Sequence, residues 1–334
     1  MKRSLILLFT VFICIQSRSQ VIKGTILDSE NKKPIPFSVA YFDGTSVATY
    51  ADDKGSFKFD ARNIQSMPIV FSALGYFSTK VVDYSPVKDI IVYLTPKTYE
   101  LSEVSVETKG NPKIRIRNLE TFRTEFLGRT RNFDGCEILN EDDIRFISSS
   151  NRDTLRAYTL KPIIISNKKL GYNITYYLNQ FEYISSLYLN HIVGNSFFEE
   201  DTSTIVNNYF YKANRDSTYY GSKMHFIRSL WQDELGAADY KIKNQNKDVK
   251  YNDLVRVQLS TDPNKLKKYI FYDQTKPVLL SIKWKKTESG LELLRNNIVF
   301  EKNGFYYGPG IIWHGEMAKQ GIADLLPYDY QPTR

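Results

Sequence analysis

Residues 37–59 read FSVAYFDGTSVATYADDKGSFKF. Phe37, Val39 and Tyr41 alternate with Ser38 and Ala40, a period of two that sets one side of a strand against a core. Asp43-Gly44 is a turn pair, and Val47–Ala51 reads as a second short strand. Asp52-Asp53-Lys54-Gly55 supplies turn formers, with Gly55 where the backbone needs a positive φ. Phe57 and Phe59 then alternate with Ser56, Lys58 and Asp60. The simplest reading of ADDKGSF, residues 51–57, is a hairpin turn with a structural purpose.

The same punctuation continues outward. Ile69-Val70-Phe71 reads as a buried strand ahead of Leu74-Gly75-Tyr76, and Lys80–Val82 and Ile90–Leu94 complete the set. Several short strands at this spacing predict a β-sandwich over residues 20–96. The runs VIKGTILDSENKKPIPFSVAYFDGT (21–45), TYADDKGSFKF (49–59), VFSALGYFSTKVV (70–82) and IIVYLTP (90–96) together resemble a carboxypeptidase regulatory-like domain. Gly24, the Pro34–Pro36 bend, Asp52–Phe57 and Gly75-Tyr76 match its pattern in order. The resemblance implies a seven-stranded, transthyretin-like sandwich that serves as an accessory scaffold or binding module and not as a protease.

The chain has 334 residues, which favours about two domains. Its N-terminus carries Lys2 and Arg3, an apolar run Leu5–Ile15, and small residues Ser17 and Ser19 before Gln20. That is the grammar of an export signal cut after residue 19. The run is short for a membrane anchor. Lipid attachment at Cys14 is disfavoured by the large Ile13 before it. Removing Lys2, Arg3 and Arg18 leaves 42 basic residues against 37 acidic ones, a net charge of +5 spread along the chain. Diffuse charge on an exported chain argues against a nucleic-acid partner. Cys136 is then alone, so no internal disulfide is expected and a buried small hydrophobe is the plainer reading of it.

Leu101–Val106, LSEVSV, continues the resemblance toward large outer-membrane receptors. Only 228 residues follow Val106, too few for a plug and a barrel of about 22 strands, so no transmembrane barrel is expected. Residues 97–112 read as a linker and 113–334 as an α+β domain with an antiparallel sheet; the fold class is mainly β. A helix is predicted over 113–128, where Ile116, Leu119, Phe122, Phe126 and Leu127 keep helical spacing up to Gly128. A second, amphipathic helix follows Tyr220, Met224, Ile227, Trp231 and Leu235, with Gly236 as its stop. Asn173–Ser185 reads as a long strand. Val255–Leu259, Tyr269–Tyr272, Val278–Lys283 and Asn297–Glu301 read as one antiparallel meander. CEILN (136–140), LGYNITYYL (170–178), YYGSKMHFIRSLW (219–231) and ADLLPYDYQP (323–332) resemble the C-terminal region of exported Bacteroidota proteins that begin with this module, a resemblance that implies no activity.

Catalytic spacing is missing from the sequence. His191, His225 and His314 stand in no metal-ligand pattern, and neither a nucleophile elbow nor a phosphate loop occurs. No cofactor is expected. Two polar groupings are candidates for binding. Ser222, His225 and Arg228 recur three apart on one side of the second helix, where Arg228 could hold a carboxylate ligand with His225 beside it. His314 and Glu316, two apart on a strand, could act as an acid–base pair. Ordinary packing is the plainer reading of both. The run Glu199-Glu200-Asp201 reads as a solvated loop rather than a site for a hard cation. The reading favoured by these residues is an exported, non-catalytic binding or structural/adaptor protein of the cell envelope, in the periplasm, associated with the outer membrane or secreted, with an envelope protein or glycan as partner and room for peripheral membrane association. The alternative is an envelope hydrolase built on His225, Arg228, His314 and Glu316.

Overall fold

The computed structural model describes residues 21–60, 67–82, 84, 88–97, 106–107, 112–149, 151, 153–202, 208–258, 266–272, 277–308 and 310–333. The export segment, Leu101–Ser105 and Lys109–Asn111 lie outside the described residues.

Seven strands form the N-terminal sandwich: β1 (Val21–Asp28), β2 (Val39–Phe42), β3 (Ala48–Tyr50), β4 (Ser56–Asp60), β5 (Ile69–Ser72), β6 (Thr79–Val81) and β7 (Ile90–Leu94). One sheet has the order β4-β1-β7, with β1 antiparallel to β4 and parallel to β7. The other has the order β3-β2-β5-β6 and is antiparallel throughout. Alternation sends Ile22, Ile26, Phe57, Val92 and Leu94 inward from the first sheet to meet Ala40, Phe42, Ile69 and Phe71 from the second. Phe57 meets Phe71 edge to face at 5.1 Å.

ADDKGSF does not close a hairpin within one sheet. It carries the chain from β3 in the second sheet to β4 in the first. Its turn chemistry is as expected: the Asp52 Oδ1 accepts from the backbone N of Lys54 and Ser56 at 2.9 and 2.8 Å, and Gly55 stands at φ 69°. Phe37 also departs from its expected place. It lies before β2, is 75% exposed, and has a positive φ of 55°. All four residues of β2 are buried because this sheet is covered on both faces. Val39, Tyr41 and Val70 turn away from the sandwich core and pack on Tyr177 and Phe197 of the following region.

That region begins with β8 (Val106–Glu107), so part of the expected linker is paired structure: Val106 and Glu107 stand opposite Ser148 and Ile147. Helix α1 (Pro112–Leu127) fits its expectation and is ended by Gly128 at φ 98°. The strands β9 (Cys136–Ile138), β10 (Arg145–Ser148), β11 (Thr154–Tyr158), β12 (Ile163–Asn167), β13 (Tyr172–Ile184) and β14 (Leu189–Glu200) complete a seven-stranded sheet with β8. The long β13 serves β11 and β12 on one edge and β14 on the other. Phe122 and Phe126 of α1 cover this sheet, with rings 4.7 to 5.8 Å from Phe181, Tyr176 and Phe146.

Helices α2 (Asn208–Tyr219) and α3 (Lys223–Gln232) follow. Beyond them lie β15 (Tyr240–Asn244), β16 (Lys247–Asp248), β17 (Val255–Gln258), β18 (Lys267–Ile270), β19 (Val278–Trp284), β20 (Thr287–Leu293), β21 (Ile298–Phe300) and β22 (Ile311–Gly315). The predicted single meander is two sheets, β16-β15-β19-β20-β22 and β17-β18-β21. They share a core of Phe226, Ile227 and Leu230 from α3 with Ile242, Leu280, Leu291, Ile270 and Phe300 from the strands.

The C-terminal segment ties these parts together. Gly128 pairs with Gln320, and Arg129 N donates to Lys319 O at 2.8 Å. A Cβ on Gly321 would lie 2.4 Å from Gly128 N, so glycine is required for this approach. Further on, Tyr328 N donates to Gly44 O at 2.7 Å, while Gly44 N donates to Ser196 O at 2.7 Å. The β2–β3 turn of the sandwich is thereby held by β14 on one side and the tail on the other. Among the described residues no helix is long and apolar enough to cross a membrane.

Candidate functional site

Helix α3 carries the first predicted grouping. It begins later than expected because Gly221, at φ 83°, turns the chain against the ring of Trp284, and Tyr220 falls outside the helix. Ser222 is the N-cap: its Oγ accepts from His225 N at 3.1 Å. At the other end Asp233, not Gly236, stops the helix in the left-handed region at φ 60°.

His225 is buried among Tyr219, Tyr220, Tyr240 and Trp284. Its Nδ1 accepts from Gly221 N at 3.1 Å and lies 3.0 Å from the Tyr240 hydroxyl. An Nδ1 that accepts a backbone N–H carries no proton, so the neutral ring is protonated at Nε2. Burial lowers the imidazole to about 4, with Arg228 and Lys285 adding to the effect. His225 is neutral at physiological pH.

Arg228 does not face a ligand. Its Nε donates to Asn303 O at 2.9 Å, Nη1 to Tyr330 O at 3.0 Å and Nη2 to Tyr328 O at 3.1 Å. The guanidinium also lies over the Tyr219 ring, 5.3 Å from its centroid. Three carbonyls from two segments of chain occupy the fork that was expected to hold a carboxylate.

The second grouping is dispersed. Strand β22 ends at Gly315, φ 66°, so Glu316 is past the strand and does not share its alternation. His314 Nε2 lies 2.8 Å from Glu292 Oε2, and Glu316 pairs with Lys319 at 2.5 Å. Trp313 points inward to Phe226 of α3, with ring centroids 5.8 Å apart. Its neighbour His314 therefore faces the opposite side of the sheet from α3 and His225. Ser222, His225 and Arg228 share helix α3 and its N-cap, with Arg228 alone holding the tail, whereas His314 and Glu316 have separate partners. The convergence that the hydrolase reading requires is not formed.

The acidic run Glu199-Glu200-Asp201 is not a loop of ligands. Glu199 and Glu200 end β14, on opposite faces, and Glu200 pairs with Arg215 at 2.8 Å. Among the described residues no three His, Cys, Asp or Glu side chains stand close enough to hold a metal. Cys136 is partly buried, and burial pushes its thiol up to about 12, which keeps it protonated.

A seam of partly buried polar groups escaped the sequence reading. Asp324 accepts from Thr130 Oγ1 and Asn132 Nδ2 at 2.5 and 2.8 Å. Lys223 Nζ donates to Gln320 O at 3.2 Å, and burial lowers its ammonium to about 8. These bonds join positions from 97 to 194 residues apart in sequence, and no local spacing signals them. An open depression of about 500 Å³ lies between the end of α3 and β15, bordered by Asp233, Leu235, Tyr240, Lys243 and Tyr251. It contains none of the predicted site residues.

Glu301, in the loop that presents Asn303 to Arg228, is pushed up to about 7 by burial against the opposing pull of Lys267 and Lys302. A carboxyl raised in the folded state stabilises fully below its unfolded value and loses that contribution as pH rises toward 7. His225 has the opposite sign, because its contribution is present above 6.5 and lost as pH falls toward 4. Glu301→Gln is therefore expected to leave stability unchanged near pH 4 and to raise it by about 1–2 kcal/mol at pH 8, after allowance for partial exposure. Urea unfolding of both proteins at the two pH values checks this; an equal gain at both removes titration of Glu301 as its cause.

Residues 22–106 match the family model of the CarboxypepD_reg-like domain. The match takes in every sandwich strand and runs through LSEVSV to Val106 in β8. It points to a non-catalytic domain of a kind often associated with the cell envelope. A comparison with curated proteins found no match.

Proposed function

We propose that this is an exported, non-catalytic binding or adaptor protein of the cell envelope, in which the sandwich presents a contact face to an envelope protein or glycan. The observation that carries this reading is the contrast between the two sheets of the matched domain. Outward residues of the β3-β2-β5-β6 sheet are spent on Tyr177 and Phe197. Outward residues of β7 in the other sheet stay free: Ile91 is 62% and Tyr93 46% exposed. They stand opposite Thr25 and Leu27 of β1, and Lys32 lies over the Tyr93 ring at 4.4 Å. An aromatic with one covered and one open side, beside an apolar neighbour on a rigid strand, is a suitable anchor for a partner.

Support for the non-catalytic part is the fate of the candidate groups: Arg228 is saturated by carbonyls, His225 is buried and neutral, and His314 and Glu316 have separate partners. The test places a photo-reactive residue at position 91 or 93, with Tyr209, an exposed aromatic on α2, as the control site. The expected result is one specific adduct in native envelopes from 91 and 93, absent from 209 and lost in Ile91→Lys. Equal labelling from all three sites, or none from 91 and 93, sinks the reading.

A further inference from the structure

Strand β14 is an edge of the seven-stranded sheet, with β13 paired along its whole length on one side. On the other side only its last part is covered. Gly44 N donates to Ser196 O at 2.7 Å and Phe198 N donates to Thr45 O at 2.9 Å, so the backbone of Ser196 and Phe198 faces outward and meets the β2–β3 turn. Backbone direction alternates along a strand, so the N–H and C=O of Asn190, Ile192 and Gly194 face the same way. Among the described residues these groups have no hydrogen-bond partner. Side chains alternate as well. Ile192 packs on the core beneath α1, and Asn190 Nδ2 donates to Glu125 O of that helix at 3.2 Å. Leu189, His191 and Val193 point to the opposite face and are exposed.

An open strand edge invites another strand, and proteins guard such edges with charge, proline, a bulge or a cover. Residues 189–195, LNHIVGN, contain no Asp, Glu, Lys, Arg or Pro, and the extra residue at the register shift belongs to β13. Glu182 stands behind His191 in register and is already paired with Arg156. The incoming strand therefore meets a seam without fixed charge. Its identity follows from the pattern. On the exposed face the order is apolar, His, apolar (Leu189, His191, Val193), which reads the same in both directions. A second copy laid antiparallel about a two-fold axis at His191 sets Leu189 of each chain opposite Val193 of the other, and Asn190 opposite Ile192. Asn190 and Ile192 carry outward backbone groups, so each of these two pairs exchanges both its hydrogen bonds. The neighbouring registers do worse. An axis at Ile192 brings the hairpin turn of the other copy, residues 185–188, level with residues 196–199, where the β2–β3 turn already lies. An axis at Asn190 leaves a single such pair.

We propose that two copies of this chain associate through residues 189–193 of β14, antiparallel about a two-fold axis at His191, and join their seven-stranded sheets into one continuous sheet. The hairpin tip is braced for such a contact: Ser185 Oγ, Ser186 N and Ser186 Oγ donate to the Asp153 carboxylate at 2.9, 2.8 and 2.9 Å. In this register the exposed Leu187 and Tyr188 of each tip come level with Asn195 and Gly194 of the other copy, at the two ends of the seam. The inference does not rest on the Ile91–Tyr93 contact, which lies on β7 of the sandwich, so either can fail alone.

The test is analytical ultracentrifugation of the purified mature chain over a range of concentrations, with a charge swap on the axis. Wild type is expected to show a reversible monomer–dimer equilibrium. His191 stands opposite its own copy in a pair without hydrogen bonds, where side chains are closest. His191→Lys and His191→Asp each set like charges there and are expected to shift toward monomer, whereas an equimolar mixture of the two is expected to dimerise about tenfold more tightly than either alone. Tyr209→Lys, on an exposed position of α2, is expected to leave association unchanged. Hydrogen exchange on wild type needs no variant: the amides of Asn190 and Ile192 are expected to gain protection as dimer forms. Three results would each overturn the proposal: a dimer indifferent to charge at position 191, loss of dimer in both variants without recovery on mixing, or amides at 190 and 192 already protected in the monomer. A wild type that stays monomeric at every concentration also overturns it and leaves a foreign extended segment as the occupant of this edge.

Discussion

Gly24→Ala is expected to destabilise the sandwich by more than about 3 kcal/mol, beyond the usual cost of a methyl forced into a core. Gly24 lies in β1, the middle strand of the β4-β1-β7 sheet, opposite Phe57 on one side and Ile90 on the other. An added Cβ would sit 1.9 Å from Ile90 O, 2.7 Å from its carbonyl carbon and 2.9 Å from its nitrogen. A flexible side chain could swing away from such a contact, but all three atoms belong to backbone held in the parallel β1–β7 ladder. Relief requires β7 to separate from β1, which strips cover from Val92 and Leu94 in the core. The expected readout is a fall of about 6–12 °C in melting temperature, or loss of soluble protein. Gly75→Ala is the comparison, since a Cβ there meets nothing within 4 Å and the cost is confined to its positive φ of 80°. Equal losses in the two variants would mean that backbone freedom, and not close approach, is what Gly24 supplies.

Arg228→Met is expected to cost about 3–5 kcal/mol and to release the C-terminal tail. The side chain is 6% exposed, so its loss leaves the carbonyls of Asn303, Tyr328 and Tyr330 without their donor in a site closed to water. Methionine keeps the volume of the stem, so a cavity does not account for the effect. Arg228→Lys is expected to recover little, because one ammonium cannot reach three carbonyls arranged around a planar fork. Hydrogen exchange should show backbone amides of Tyr328 and Tyr330 opening in Arg228→Met while those of β19 and β20 remain protected. Protection of the tail equal to wild type would remove Arg228 from the role of clamp.

Much of the sandwich was legible because its strands advertise themselves. Phe57 and Ile69–Phe71 sit in short alternating or apolar runs, and Asp52 and Gly55 have turn chemistry that works within five residues. What local pattern cannot carry is the identity of the partner strand. The turn at 52–55 looks like a hairpin from inside, yet β3 and β4 belong to different sheets. Likewise Val255–Gln258 and Val278–Trp284 look like neighbours in a meander and are not. Helix α2 was missed because Tyr, Phe, Asn, Ser and Thr are weak helix formers; its helical signature is the buried spacing of Tyr211, Thr218 and Tyr219, with the Arg215 guanidinium 3.9 Å from the Tyr172 ring centroid.

Among the candidate residues, the sequence correctly grouped Ser222, His225 and Arg228, since three-residue steps on a helix are a local fact. It could not show that the tail would already occupy Arg228. The pairing of His314 with Glu316 failed on one residue: Gly315, in the left-handed region, ends the alternation on which that pairing depended.

The close contact of Gly128 with Gly321 also fixes an order of events. The two glycines stand roughly 190 residues apart, and at ordinary speeds of synthesis the second leaves the ribosome roughly 10–40 s after the first. The sandwich strands and α1 are made long before the segment that locks them together. Until β14 is made the sheet that receives Phe122 and Phe126 is incomplete, and throughout the interval the β2–β3 turn lacks its second support. Nascent chains of this protein are thus committed to a long unguarded stage, and a carrier that shields apolar surface would act in this window, before residues 317–330 arrive and close the structure.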